Sequence, residues 1–330
     1  MPKAYLVYNP VAGRYPSWLL VERALRLFAQ NGWEIHLEPS TAGEHVTQLA
    51  FQAAQNGMDA LFVVGGDGTI NHALPGLLNS RTALGILPAG TANVWAQELG
   101  LASLSWTRWN AIQYSASLLV QGSVYEVDVG ECNGRPFLLW AGVGLDGYVV
   151  HRIEPRSRWE KNLAVLHYGA SAIWYASQWH GMNIQIEADG QVIGGHYLLV
   201  LASNITLYAG GILHLSQENR LDDGLMELWL LEGASMGDTI QRVWDLTAGQ
   251  KDHSEQIRKL AFRNLILESD SPLYVQLDGE PWSISGKVEI QVKPKTLRVL
   301  VPKSPHPLWV RDGPIGDFRP HTDPGQSLIS

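Results

Sequence analysis

At 330 residues, 45% hydrophobic and 17% charged, the chain is long and apolar enough for two packed domains, and wholesale disorder is excluded. A formal net charge of −8 argues against a broadly basic nucleic-acid binder, so no nucleic-acid partner is expected. The single cysteine, Cys132, leaves no disulfide framework and no cysteine zinc site, and fits a reducing, cytoplasmic compartment.

The opening apolar run, Ala4–Tyr8, is too short for a signal peptide and reads as a first strand. Ser17–Gln30 carries apolar residues at helical spacing until Asn31-Gly32 stops it. Trp33–Leu37 reads as a strand and Glu44–Gln55 as a helix ended by Asn56-Gly57. Ala60–Val64 and Ala83–Leu87 are continuous apolar runs, as buried parallel strands are, and the helices Ile70–Leu78 and Ala92–Leu99 follow them. This alternation predicts an α/β domain with a parallel sheet over residues 1–123. After Gly122 strands dominate: Val124–Val129, Phe137–Ala141, Asn183–Glu187, Tyr197–Ala202, Met226–Leu231, Tyr274–Leu277, Val288–Val292 and Leu297–Val301. Asp189-Gly190 between alternating runs is a hairpin signal. Helices are expected around Lys161–Trp179 and Met236–Thr247. An all-β antiparallel sandwich is therefore predicted over 124–303, followed by a mobile tail over 304–330 rich in Pro, Gly, Asp and Ser. Whether the last strand returns to the first domain is left open by the pattern. Residues 162–186 lack Asp, Glu, Lys and Arg but hold too many His, Gly, Ser and Asn for a membrane span.

Chemistry concentrates in the turns after the apolar strands. Val63-Val64-Gly65-Gly66-Asp67-Gly68-Thr69-Ile70-Asn71 runs from a buried strand through three glycines into a helix. Such a turn exposes backbone N–H groups and a helix N-terminus to an anion, with Thr69 placed to cap the helix. An aspartate at its centre suits phosphate if Mg²⁺ bridges the two; an Asp-Gly turn without a ligand is the plainer alternative. Pro88-Ala89-Gly90-Thr91-Ala92-Asn93 repeats the arrangement after the next strand, and Asn9 and Arg14 stand at the end of the first. Together these turns predict a phosphate site at the carboxyl edge of the sheet. GxxxxGK[ST] is absent, so this is not a P-loop enzyme. Gly142-Val143-Gly144-Leu145-Asp146-Gly147 matches GxGxxG, but it lies in the antiparallel half and reads as glycines that allow tight packing.

These pieces resemble the bacterial diacylglycerol kinase catalytic-domain family, soluble lipid kinases related to sphingosine and ceramide kinases and, in the nucleotide domain, to NAD kinases. The resemblance rests on Asn9-Pro10-x-Ala12-Gly13, Gly65-Gly66-Asp67-Gly68-Thr69, Gly90-Thr91-Ala92-Asn93, Asp222-Asp223-Gly224 and Asp278-Gly279-Glu280, in family order. It implies an ATP- and Mg²⁺-dependent kinase that phosphorylates diacylglycerol to phosphatidic acid, with sphingoid bases, ceramide or other glycerolipids as alternative acceptors. The expected nucleotide contacts are Asn9, Thr41, Gly65, Gly66, Asp67, Gly68, Thr69, Ile70, Asn71, Gly90, Thr91 and Asn93. By the same resemblance Asp67 holds the catalytic Mg²⁺, Glu280 is the general base, and a second, structural Mg²⁺ takes Asp223 with main-chain oxygens of Arg220 and Leu225. On its own Asp278-Gly279-Glu280 reads as an ordinary hairpin turn.

Val94 departs from the pattern, where the family often carries Asp; it favours the rival reading of a non-catalytic nucleotide- or lipid-binding protein, which the retention of Asp67 and Glu280 opposes. On the lipid side, Trp140, Trp159, Trp174, Trp179, Trp229 and Trp244 crowd the second half, and Arg152, Arg156, Arg158 and Lys161 precede the uncharged helix. Such a group suits either an anionic bilayer surface or a core helix with a solvated entry loop. The partner expected is a lipid substrate met at the inner face of the membrane; the reading leaves room for a homodimer.

Overall fold

The computed structural model describes residues 1–9, 17–101, 110–153, 174–176, 178–216, 219–233, 257–284, 286–303, 310 and 312–317. They fall into two compact units. The first is built from Met1–Val127 and takes the chain back at Thr296; the second is built from Asp128–Lys295.

The first unit alternates strand and helix as the apolar runs dictate: β1 (Lys3–Tyr8), α1 (Ser17–Gln30), β2 (Glu34–Pro39), α2 (Gly43–Gln55), β3 (Ala60–Gly65), α3 (Asp67–Leu77), β4 (Ala83–Pro88), α4 (Val94–Glu98) and α5 (Ala111–Leu119). The strands are parallel in the order β4-β3-β1-β2. β3 and β4 are buried almost throughout, which is why they read as continuous apolar runs. α1 packs with α5, and α2 with α3. The chain leaves β1 toward β2 and returns past it to β3, so the β1–β3 junction is the point where the winding reverses. Trp33 belongs to the turn after α1, buried against Phe28 and Phe62, so β2 starts one residue later than expected.

The second unit is antiparallel. Its elements are β5 (Ser123–Cys132, entering from the first unit), β6 (Arg135–Phe137), β7 (Trp140–Gly144), α6 (Leu145–Ile153), β8 (Met182–Ala188), β9 (Gln191–Ser203), β10 (Leu207–Tyr208), β11 (Leu213–His214), β12 (Met226–Glu232), β13 (Ile257–Phe262), β14 (Asn264–Glu268), β15 (Leu273–Leu277), β16 (Glu280–Ile284) and β17 (Lys287–Val301). The strand path is β16-β15-β7-β9-β8-β14-β17, with β12 on β9 and β13 on β12. β8 shows the cause: Ile184, Ile186 and Ala188 are buried while Asn183, Gln185 and Glu187 face out. Ile184 and Ile186 join a core with Val275, Leu277, Val288 and Ile290; truncating Ile186 to Ala would cost about 3 kcal/mol. The Asp189-Gly190 turn forms with both residues at positive φ, and the Asp189 carboxylate accepts N–H bonds from Arg263 and Asn264 at 3.0 and 2.8 Å.

Several expectations change. α3 begins at Asp67, not Ile70, because Gly66 provides the extended N-cap residue; Thr69 therefore lies inside the first turn and does not cap. β17 fuses the strands expected at Val288–Val292 and Leu297–Val301 and carries the chain back to the first unit, where Val299 pairs in parallel with Leu84 of β4. The GxGxxG segment does lead into a helix, α6, but its glycines serve packing: a side chain at Gly142 would meet Asp146 and Gln276, and one at Gly147 the Tyr274 backbone. The helix expected over Lys161–Trp179 lies largely, and that over Met236–Thr247 entirely, outside the described residues, as do Arg14, Arg156, Arg158, Trp159 and Trp244. Within the segment read as a tail, β18 (Gly316–Asp317) pairs with Val124 and Ser123, and the Ser123 hydroxyl donates to Asp317 at 2.5 Å.

Candidate active site

Four consecutive parallel strands end at one edge of the first unit, and the sequence-predicted residues follow those ends. Asn9 follows β1, Thr41 follows β2, Gly65–Asn71 spans the β3–α3 turn, and Gly90, Thr91 and Asn93 follow β4. The turns are tied together. The Ser40 amide donates to the Tyr8 carbonyl at 2.8 Å, and the Ala89 amide to Gly65 at 3.0 Å. Gly66 and Gly90 lie backbone to backbone, so that a Cβ on Gly90 would stand 2.5 Å from the Gly66 Cα; only two glycines permit this approach. Asn93, at φ 52, clamps the second turn: its side-chain oxygen accepts the Gly90 N–H and its NH₂ donates to the Gly90 carbonyl, both at 2.8 Å. The Asn93 side chain is thus spent inside the turn. The Ile70 side chain is buried in the core, whereas Gly68, Thr91 and Thr41 are exposed.

Asp67 joins the two turns. Its carboxylate accepts the N–H groups of Val94 and Trp95, which open α4, at 3.0 and 3.1 Å. Burial pushes this carboxyl above the ordinary aspartate range, and what opposes the shift is a set of backbone N–H groups. The Val94 side chain is buried, so this position contributes packing and a main-chain donor.

In the second unit, Asp278 and Gly279 form the β15–β16 turn at φ 51 and 85. The buried Asp278 carboxylate accepts three backbone N–H groups, from Leu138, Leu139 and Trp140, at 2.8 to 2.9 Å. Gln276 accepts the Gly279 N–H and donates to Asp146, each at 2.7 Å. Glu280 emerges from this braced turn half-buried and pairs with Arg135. The sequence pattern marks Trp140 only as one of the tryptophans and Asp146 only within the GxGxxG segment; it ties no partner to this turn, since each lies more than 100 residues away except Gln276.

The Diacylglycerol kinase catalytic domain model matches residues 3–132, and the YegS C-terminal NAD kinase beta sandwich-like domain model matches residues 141–301. The chain belongs to the diacylglycerol kinase catalytic-domain family. It is 27% identical over 282 residues to a diacylglycerol kinase of Bacillus subtilis (strain 168), covering 85% of this chain and 90% of that one. To a diacylglycerol kinase of Staphylococcus saprophyticus it is 25% identical over 281 residues, 84% and 88% of the two chains. The crystal structure of a diacylglycerol kinase from Bacillus anthracis str. Sterne shares the fold, with a TM-score of 0.67 at 24% identity over 91% of this chain and 96% of that one. The chain is a lipid kinase of the diacylglycerol kinase type, and the rival reading as a mere binding protein loses its ground.

This kinase carries a second group of carboxylates. Asp128 accepts the N–H groups of Gly224 and Lys295 at 2.6 and 2.8 Å, and Asp223 accepts that of Leu225 at 3.0 Å. Burial first, helped by the neighbouring Asp223 and Asp222 and opposed by the Lys295 and Gly224 N–H groups, pushes the Asp128 carboxyl up to about 6. Asp223 is likewise raised, by burial first and by Asp222 against the pull of Arg220. Negative charge in excess of its compensation suits a divalent cation. Among the described residues no three His, Cys, Asp or Glu side chains gather to hold a metal by themselves, so a cation here would need main-chain or phosphate oxygens as well.

The tryptophans separate. Trp140 and Trp229 are buried, and Trp179 donates its ring N–H to the Leu198 carbonyl at 2.9 Å while packing on Tyr148 and Tyr274. Trp174, 64% exposed, is the described member of the group that faces solvent. No helix among the described residues is long and apolar enough to cross a membrane.

Proposed function

We propose that this kinase transfers the γ-phosphoryl group of ATP to the free hydroxyl of diacylglycerol, giving phosphatidic acid and ADP, with Glu280 as general base. The observation that carries the reading is the Asp278-Gly279-Glu280 turn: three backbone N–H groups fix the aspartate, and the glutamate is left half-exposed at the start of a strand. Glu280 takes the proton of the lipid hydroxyl as its oxygen bonds to the γ-phosphorus and the bond to the β–γ bridging oxygen breaks. Asn9, Thr41, the Gly65–Asn71 turn, Gly90 and Thr91 bind the nucleotide, chiefly through backbone N–H groups and hydroxyls. Asp67 would hold Mg²⁺, in keeping with a buried carboxylate that its backbone partners under-compensate. Mg²⁺ supplies charge neutralisation on the phosphates when bound. Asp223, with the main-chain oxygens of Arg220 and Leu225, would hold a structural Mg²⁺ in the second unit. The lipid is met at the membrane surface, to which the protein binds peripherally.

The test is transfer of labelled γ-phosphate from Mg-ATP to a mixed-micelle panel of diacylglycerol, monoacylglycerol, ceramide, sphingosine and phosphatidylglycerol. Wild type should label phosphatidic acid. Glu280→Gln should lose at least about 100-fold in turnover, the usual worth of a general base, while still binding ATP. Label in another lipid would change the acceptor, and unimpaired turnover by Glu280→Gln would remove the base assignment.

A further inference from the structure

We infer that Arg135 is a positioning residue for the reaction: its guanidinium, seated over the Trp282 ring, holds one carboxylate oxygen of Glu280 and turns the other toward the hydroxyl to be deprotonated. The inference rests on the reading of Glu280 as the base, and it adds a residue to which neither motif nor family resemblance pointed.

Both ends of the pair are launched from fixed backbone. Glu280 follows the turn that Asp278 locks onto Leu138–Trp140. Arg135 follows the β5–β6 turn, Asn133-Gly134, at φ 45 and 83. That turn is pinned to β17: Asn133 accepts the Glu289 N–H on its side chain at 2.6 Å and donates its own N–H to the Glu289 carbonyl at 2.9 Å. Alternation along β16 sets Glu280 and Trp282 on one face, and the Arg135 guanidinium lies 4.8 Å from the centre of the Trp282 ring. One Nη of Arg135 bonds Oε2 of Glu280, and Oε1 makes no hydrogen bond or ion pair among the described residues. A planar guanidinium held by stacking fixes the carboxylate's orientation, which a flexible ammonium on a longer tether would not do.

The neighbouring charge is simple. Cys132, paired with Arg135 across the hairpin, is buried, and burial pushes its thiol up to about 12. It stays neutral at physiological pH, so Glu280 is the anion that Arg135 serves. With about a third of each side chain exposed, the pair is a weak contributor to folding, as exposed pairs are, so a role for it lies outside stability. Orientation supplies one: misplacing a catalytic group by about 1 Å can cost on the order of 100-fold in rate.

The experiment compares wild type, Arg135→Met, Glu280→Gln and the double variant in the micelle assay, with melting curves for each. Arg135→Met should lower kcat on the order of 100-fold while KM for ATP and the melting temperature hold. Methylguanidinium in the assay should restore part of that rate, and Arg135→Lys should fall between the two. On the residual rate of Glu280→Gln, adding Arg135→Met should cost nothing more, because the two act as a unit. If Glu280→Gln is inactive but Arg135→Met turns over like wild type, the positioning role is overturned and the base stands. If Glu280→Gln is active, the base reading itself is wrong. A loss in Arg135→Met that repeats in full in the Glu280→Gln background, or that follows a collapse of the melting temperature which Arg135→Lys shares, also overturns it.

Discussion

Two aspartates lock the two halves of this kinase in the same way and leave opposite things exposed. Asp67 collects the N–H groups of Val94 and Trp95 and so joins two glycine turns, whose remaining backbone is what would meet phosphate. Asp278 collects three N–H groups from Leu138–Trp140 and so aims a side chain, Glu280. In the first unit, on the proposed reading, the main chain would carry the chemistry while the side chains hold it in shape. In the second, on the proposed reading, the main chain holds the shape and a carboxylate with its guanidinium would carry the chemistry.

Removing each lock separates the two designs, and the second should break harder. Asp278→Ala loses three charge-assisted bonds to a buried acceptor and leaves alanine at φ 51. About 4 kcal/mol is expected from the orphaned amides and the strained backbone together. Calorimetry should show the loss as a melting temperature lower by roughly 10 °C, and a shift of only a degree or two would mean that the turn is held by other contacts.

Asp67→Asn sharpens the comparison at smaller cost. The amide is nearly isosteric but has one acceptor oxygen, so one of the two α4 N–H groups faces an NH₂. The loss should be about 1.5 kcal/mol. It should appear in EDTA and without nucleotide, because the bonds lie within the protein. A metal-free melting temperature equal to that of wild type would assign Asp67 to metal alone.

The same contrast explains what was legible in the sequence. The parallel sheet and its turns are written in contiguous residues: the Ala60–Val64 and Ala83–Leu87 runs, then glycines. What contiguity hides is where a helix starts, since Ile70 is the first buried residue of α3 but Gly66 and Asp67 begin it. It also hides how a polar side chain is spent, as Asn93 is on Gly90. In the second unit the hairpin at Asp189-Gly190 was readable because its alternation is clean. β13, β14 and β16 were not read, because Arg258, Lys259, Asn264, Pro281 and Trp282 blur the period of two. The partners of Asp278 and Glu280 come from 138 to 145 residues away, a distance over which no periodicity carries. α6 is hidden because its GxGxxG opening suggests close packing alone.

The smallest effect tests the acidic group at Asp128, Asp222 and Asp223. Folding raises the Asp128 carboxyl to about 6 from an ordinary 3.8, so the folded state binds more protons than the unfolded chain between those values. Stability contributed by this group is complete below about pH 3.8 and is lost as pH rises through about 6. A cation at Asp223 would offset the buried negative charge above that range and would have to displace protons below it. Mg²⁺ at roughly ten times its Kd should therefore add about 1.4 kcal/mol at pH 7.5, or roughly 3 °C, and clearly less at pH 5. Asp223→Asn should abolish the Mg²⁺ shift in nucleotide-free protein while leaving Asp67 intact. An equal shift at both pH values, or one that survives Asp223→Asn, would place the cation elsewhere and leave the three carboxylates as a cost of the fold.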